Sequence, residues 1–198
     1  MINLLDYFEK IYLITSYHTK NRLKDTLPHL HENNIYPELF VAPFKYHFLY
    51  RKCNQGQEFP GKLSLNCAYE QLFQKCLIEQ TKTALFIEDD IVLLNNWETV
   101  IQKNWLNSTE WYMLRDGPET EFIGMSYRAI QDYLNKYALD TYPVDMALND
   151  LDTSGKELNK KFGTTGEFTR QKSLNHHNTK QQISSAIVVE EDINILTF

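Results

Sequence analysis

Residues 84–93 read Ala84-Leu85-Phe86-Ile87-Glu88-Asp89-Asp90-Ile91-Val92-Leu93. Apolar residues on both sides of three carboxylates cannot form one face of an amphipathic helix, and short runs rich in Ile, Val and Phe are typical of a buried β-strand. We therefore predict a strand that delivers Glu88, Asp89 and Asp90 to its carboxyl end. In open α/β sheets, ligands bind at that edge.

The three adjacent carboxylates have two interpretations. Crowded carboxylates resist ionising together unless a cation lies between them. Mg²⁺ or Mn²⁺, hard ions that prefer oxygen ligands, would satisfy this requirement. A solvated turn whose acids cap the next helix would have the same sequence, so the residues alone leave both interpretations open.

The composition is that of an ordinary globular domain. The chain has 198 residues, of which 42% are hydrophobic and 23% are charged, and this length suits one domain with its own core. Lys and Arg total 20 against 26 Asp and Glu, for a formal charge of -6. This balance argues against nucleic-acid binding driven by backbone phosphates. A net negative charge is still compatible with a small anionic ligand that is held by a few local donors.

The cysteines and the N-terminus indicate a cellular location. Cys53, Cys67 and Cys76 are too few and too irregularly spaced for a disulfide framework or a zinc site. Residues 1–10 lack the basic and apolar regions of a signal peptide. No apolar run approaches the roughly 20 residues that a membrane helix needs. We expect a cytoplasmic protein with reduced thiols and no transmembrane segment.

The first strand is predicted at residues 10–15, and a polar turn follows it up to residue 22. Leu23, Leu27 and Leu30 then recur at helical spacing. A strand, a polar loop and a helix in this order form a common nucleotide cradle, because a helix N-terminus favours anions. Neither the glycine-rich dinucleotide pattern nor the P-loop pattern is present.

The remaining segments alternate between predicted strands and helices. Strands are predicted at 36–42, 110–114, 122–126 and 183–189, and helices at 61–77, 95–105 and 127–137. Residues 44–60 are irregular and aromatic, which indicates either a packed surface loop or a flap beside a pocket. From residue 153 the composition shifts to Lys, Asn, Gly and Thr, so we expect a flexible tail over 153–198.

Four landmarks occur in a familiar order. They are Ile11-Tyr12-Leu13-Ile14 with Arg22 downstream, the helix that holds Cys67, the acidic run at 88–90, and Tyr142-Pro143-Val144-Asp145. Over roughly residues 10–175 the chain resembles glycosyltransferase family 25, the lipopolysaccharide-biosynthesis and collagen-galactosyltransferase type. That family has a first strand of the "VINL…R" kind, a "GC…SH" helix, a DxD-like "EDD" metal motif and a late "P-x-D". Here Asn66-Cys67 and Glu70-Gln71 replace the Gly-Cys and Ser-His pairs.

The resemblance implies a GT-A fold, a single Rossmann-like α/β/α sandwich with a mixed central sheet over residues 1–198. Residues 1–95 would form the nucleotide-binding half, 96–152 the acceptor-side half and 153–198 the tail. It also implies a metal-dependent, inverting glycosyltransferase that moves a hexose from a UDP-sugar to a hydroxyl of a glycan or glycoprotein, with Mn²⁺ or Mg²⁺ as the cofactor. Such a protein could lie against a membrane through its acceptor.

The resemblance also implies roles for individual residues. Asp90 would coordinate the ion, with Glu88 as a further ligand, and Glu88 or Asp89 would orient the ion or bind the ribose. The donor-binding candidates precede or open helices: Thr15, Ser16, Arg22, Lys62 and Ser64. Arg22 suits phosphate geometry, with a surface ion pair as the alternative.

Two histidines in the tail are additional metal candidates. His176 and His177 are adjacent, and one of them could complete the metal shell as the tail closes over the donor. An imidazole ligand would favour Mn²⁺ over Mg²⁺. An exposed polar tail is the alternative.

Inverting transfer needs a base that removes the proton of the acceptor hydroxyl. Asp145 is our candidate for this base and Asp116 is the second, although an Asp at 145 would also make a good helix N-cap. Two other functions remain open. One is a Mg²⁺-dependent nucleotidyltransferase or phosphotransferase, for which the usual glycine-rich phosphate loop is missing. The other is a non-catalytic glycosyltransferase-like module that binds sugars or a partner protein.

Overall fold

The structure is a computed structural model. It describes residues 2–16, 19, 21–42, 60–104, 112–116, 120–137, 143–154, 162–163 and 169–171. The aromatic segment 44–59 and the strand predicted at 183–189 lie outside these residues.

The described elements alternate between strands and helices along the chain. The strands are β1 Lys10–Ser16, β2 Glu38–Ala42, β3 Thr83–Glu88, β4 Ile91–Leu93, β5 Met113–Asp116, β6 Phe122–Ser126, β7 Phe162–Gly163 and β8 Thr169–Gln171. The helices are α1 Leu23–Glu32, α2 Pro60–Ile78, α3 Trp97–Asn104, α4 Tyr127–Tyr137 and α5 Val144–Ser154. A short 3-10 turn at Leu4–Asp6 precedes β1.

The main sheet has the strand order β2-β1-β3-β6-β5-β7, and β4 pairs with β8 in a small separate sheet. Strands β2, β1 and β3 are parallel, whereas β6 is antiparallel to both β3 and β5. The acidic strand β3 therefore lies inside the sheet, as predicted. The predicted α/β class with a mixed central sheet is confirmed.

Both faces of the strand β3 are buried. Along β3, Ala84 and Phe86 belong to one apolar cluster, which α2, α4 and α5 cover. Leu85 and Ile87 belong to a second cluster on the opposite face, under α1 and α3. Burial on both faces explains the almost continuous apolar run of this strand. It also leaves the ends of the strand as the place for polar side chains.

Several features differ from the sequence-based expectations. Strands β7 and β8 lie within the segment expected to be a flexible tail, and they pair with β5 and β4. Cys67 is disulfide-bonded, in contrast to the expected reduced thiols, whereas Cys76 is a buried free thiol. None of the helices in the described part of the chain has the length and apolar character needed to traverse a bilayer.

Candidate active site

The carboxyl ends of three strands lie at the same edge of the sheet. Strand β1 pairs in parallel with β3, and Ile14 is opposite Glu88. Strand β5 runs in the same direction, because β6 is antiparallel to each of its two neighbours. The polar turn after β1 and the acids after β3 are therefore neighbours, although they are far apart in sequence.

Asp89 is anchored to the turn that follows β1. Its Oδ2 atom accepts hydrogen bonds of 2.5 Å from the hydroxyls of Thr15 and Thr19. The hydroxyl of Thr26, on α1, donates a 2.6 Å hydrogen bond to the backbone carbonyl of Asp89. Ser16 belongs to the same turn, since its hydroxyl lies 2.9 Å from that of Thr19. The first βα turn and the acidic turn thus form one hydrogen-bonded unit.

A single guanidinium nitrogen joins the two aspartates. Arg22 Nη1 donates to Asp89 Oδ1 at 3.1 Å and to Asp90 Oδ2 at 3.0 Å. Asp89 and Asp90 are 5% and 6% exposed, and buried carboxylates are costly unless a cation pairs with them. The structure therefore brings Arg22 and both aspartates together, and positive charge lies at the point on which the two carboxylates converge.

The hydrogen-bond partners of Glu88 differ from those of the two aspartates. Its Oε1 atom accepts a hydrogen bond from the hydroxyl of Thr120 and a longer one, 3.4 Å, from the hydroxyl of Tyr69. Burial, together with the charges of nearby acids including Asp90 and Glu121, outweighs the hydrogen bond from Thr120 and raises the pKa of Glu88 to about 8. Glu88 therefore ionises less readily than an exposed glutamate.

Two groups of buried polar contacts, one at Glu88 and one at Arg115, could not be anticipated from the sequence. Tyr69, on α2, donates a 2.8 Å hydrogen bond to the carbonyl of Thr120, and burial is the main cause that raises its pKa. Arg115, on β5, is 1% exposed and donates a 2.6 Å hydrogen bond to Asn149 on α5. These residues come from four segments with no shared motif, so only the tertiary structure reveals their proximity.

The candidate base Asp145 lies in the first turn of α5 and is partly buried. Asp145 is not the N-cap residue, because α5 begins one residue earlier, at Val144. The backbone N–H of Val144 instead donates a 2.8 Å hydrogen bond to the side chain of Asn66, on α2. Asn66 is 2% exposed, so a buried amide supplies the cap and fixes the start of the helix that carries Asp145.

The remaining predicted site residues are located only by the strand or helix to which they belong, or they lie outside the described residues. Asp116 ends β5, at the same edge as the acids but two strands from β3, which corresponds to a backbone separation of roughly 10 Å. Lys62 and Ser64 lie in the N-terminal part of α2. His176 and His177 lie outside the described residues.

The carboxylates at this edge suit a divalent ion that is shared with a substrate. Among the described residues, no group of three or more His, Cys, Asp or Glu side chains is placed to hold a metal ion. Asp89 and Asp90 nevertheless converge on one cationic atom. Mg²⁺ commonly takes only one or two carboxylates and completes its shell with substrate phosphates and water. The donor set fits that arrangement, and within the described residues it does not form a cage of protein ligands alone.

No protein-family model matches the chain, and no curated protein sequence matches it. Solved structures with a similar chain path include a glycosyltransferase involved in the glycosylation of the major capsid of PBCV-1, with 7% identity, a TM-score of 0.48 and coverage of 89% of this chain and 98% of that chain. Another is a putative nucleotide-diphospho-sugar transferase from Desulfovibrio desulfuricans G20, with 11% identity, a TM-score of 0.41 and 77% coverage of each chain.

A third similar structure is a mannose-1-phosphate geranyltransferase from Thermus thermophilus, with 9% identity, a TM-score of 0.35 and coverage of 80% of this chain and 56% of that chain. At these identities the likeness concerns the arrangement of the chain alone.

Proposed function

We propose that the chain is a metal-dependent, inverting glycosyltransferase of the family 25 type. It would transfer a hexose from a UDP-sugar to a hydroxyl group of a glycan or glycoprotein. One observation supports this proposal most directly. The cation of the first βα turn, Arg22, contacts both Asp89 and Asp90 at the carboxyl edge of the sheet, where α/β folds bind their ligands.

The turn after β1 is the proposed binding site for the diphosphate of the donor. Arg22 supplies a guanidinium suited to phosphate oxygens, and Thr15 and Ser16 lie in the same hydrogen-bonded turn. Helix α1 begins at Leu23, directly after Arg22, so the positive end of its dipole lies at this edge. Lys62 and Ser64, at the start of α2, remain further candidates for donor contacts.

Asp90 is the proposed protein ligand of Mn²⁺ or Mg²⁺, and Glu88, His176 and His177 are candidates for further ligands. When bound, such an ion neutralises the negative charge that develops on the departing diphosphate. Asp89 has a different task, because both of its carboxylate oxygens already bind the first turn. It would keep the first turn in position for the donor.

The acceptor side of the reaction requires a base. Asp145 would accept the proton of the acceptor hydroxyl as that oxygen attacks the anomeric carbon from the face opposite the nucleotide. Asn66 holds the first turn of α5 in place, which would orient this carboxylate. Asp116, at the end of β5, is the second candidate.

A thermal-shift panel of nucleotide sugars, with and without Mn²⁺, tests the proposal. A ligand at about 100 times its Kd adds about 2.7 kcal/mol of stability, so a UDP-sugar should raise the melting temperature and Mn²⁺ should increase the effect. The reaction should release UDP. Pyrophosphate release would instead identify a nucleotidyltransferase, and binding without turnover would identify a non-catalytic module. If no UDP compound stabilises the protein in a Mn²⁺-dependent way, the donor assignment is wrong.

A further inference from the structure

We propose that Arg22 makes divalent-metal binding at Asp90 conditional on the nucleotide. This inference rests on the proposed function and assigns a regulatory role to one residue of that site. Without ligand, Arg22 Nη1 lies 3.0 Å from Asp90 Oδ2 and 3.1 Å from Asp89 Oδ1. The guanidinium thus lies beside the carboxylate of Asp90, at which the ion would bind.

A divalent ion at Asp90 and this guanidinium compete for the same carboxylate. An ion bound to the Asp90 carboxylate would lie about 2.1 Å from its oxygen, next to a positively charged group that is also bound to that carboxylate. Like charges at such a distance repel strongly in a partly buried site. The ion therefore binds weakly while Arg22 remains in place, and it binds well only when Arg22 moves away.

The two aspartates respond differently when Arg22 leaves. Asp89 keeps its hydrogen bonds to the hydroxyls of Thr15 and Thr19, so its position does not depend on Arg22. The Asp90 side chain is 8% exposed, and burial of a carboxylate favours a cation beside it. The departure of Arg22 and the arrival of the ion are therefore linked events at Asp90.

The diphosphate is the group that can draw Arg22 away. The Arg22 side chain is 30% exposed, so a ligand in solvent can reach its guanidinium. Phosphate oxygens accept charge-assisted hydrogen bonds from arginine, and they also supply ligands to the ion. Nucleotide and ion should thus bind with positive cooperativity, and by linkage each raises the affinity of the other by the same factor.

Titration of the full chain with Mn²⁺, followed by the EPR signal of the free ion, tests this directly. In the wild-type protein, UDP should tighten Mn²⁺ binding by about 5- to 150-fold, the usual range of such coupling. Arg22→Gln should bind Mn²⁺ more tightly than wild type in the absence of UDP, by a factor in the same range. UDP should tighten its Mn²⁺ binding by a smaller factor than in wild type, because only direct coordination by the phosphate oxygens remains. Arg22→Lys, which keeps the charge, should behave more like wild type.

Lys24→Gln is the matched control. It removes the same charge from an exposed position of α1, and its Mn²⁺ affinity should remain within about twofold of wild type, because solvent and salt screen exposed charges. Circular dichroism melts verify that each variant is folded.

The outcomes separate the inference from the proposed function. If UDP tightens Mn²⁺ binding in wild type but Arg22→Gln binds free Mn²⁺ no better, the inference is wrong and the proposed function stands. If wild type binds no Mn²⁺ even with UDP, both are wrong. If Arg22→Gln does not fold, the wild-type titration still decides, because equal Mn²⁺ affinity with and without UDP overturns the inference.

Discussion

The hydroxyl of Thr15 donates a hydrogen bond of 2.5 Å to Oδ2 of Asp89, a residue 74 positions later in the chain. The two residues are 4% and 5% exposed, so water does not compete for this bond. It fastens the end of β1 to the turn after β3. Asp89 therefore has a structural role in addition to any contact with a ligand, and the geometry of the site depends on it.

Replacing Thr15 with Val should destabilise the protein by about 1–3 kcal/mol, because a buried charged acceptor loses a donor. Denaturant unfolding measures this change. Thr15→Ser keeps the hydroxyl and should recover most of the lost stability. If Thr15→Val is as stable as wild type, the hydrogen bond to Asp89 contributes nothing to the folded state.

Asp90→Asn should lower sugar transfer at least about a hundredfold, because stabilisation of a leaving diphosphate by a bound ion contributes several kcal/mol to the barrier. The fold should persist, since Arg22 keeps its contact with Asp89. Steady-state release of UDP measures the effect. Asp6→Asn is the control, because Asp6 is exposed and its contact with Asn3 tolerates an amide. Activity close to wild type in Asp90→Asn would contradict the role of Asp90.

Glu88 should make the free energy of unfolding of the metal-free protein depend on pH. Its pKa rises from the usual 4.5 to about 8 on folding, so between these values the folded state holds one proton more than the unfolded state. Stability from this group is fully present below pH 4.5 and is lost as the pH rises to about 8, with a slope of at most about 1.4 kcal/mol per pH unit.

The comparison of Glu88→Gln with wild type isolates this contribution. The variant cannot titrate at this position, so its stability should change less than that of wild type between pH 5 and 8, as measured by urea unfolding in the presence of a chelator. Glu32→Gln, an exposed position of α1, should retain the wild-type profile. Parallel profiles for wild type and Glu88→Gln would show that Glu88 is ionised throughout.

Much of the fold follows from local pattern. The strand predicted at residues 122–126 and the helix predicted at 127–137 are observed with those bounds as Phe122–Ser126 and Tyr127–Tyr137. Their apolar residues recur with the period of the element, and that period is a strong signal. Strands β7 and β8 were missed because two or three residues are too few for any period to be visible.

The site was predictable only in part, for a related reason. Parallel strands place their carboxyl ends at one edge, so the meeting of the first turn with the acidic turn follows from two strand predictions. The buried contacts of Arg115 with Asn149 and of Glu88 with Thr120 join residues from different elements. Each of these side chains would be expected at the surface from its type alone.

Gly124 in β6 lies where the sheet has no room for a side chain. A Cβ atom there would be 2.6 Å from Phe8 Cε1 and 3.4 Å from Leu114 Cβ. Gly124→Ala should therefore cost about 1–3 kcal/mol of stability through overpacking, as measured by denaturant unfolding. Because the ring of Phe8 causes the contact, Phe8→Leu should weaken the effect of Gly124→Ala. Strictly additive effects in this double-mutant cycle would contradict the clash.

Asp145→Asn separates catalysis by Asp145 from a structural role. The cap of α5 comes from Asn66, which accepts the N–H of Val144, so the variant keeps this cap. The lost charge of the first turn should cost about 0.3–1 kcal/mol of stability. A base contributes about 10²- to 10⁴-fold to the rate, so kcat should fall by that factor while the KM for the donor stays unchanged. Asp116→Asn is the paired variant. If it lowers kcat and Asp145→Asn does not, the base is at the end of β5.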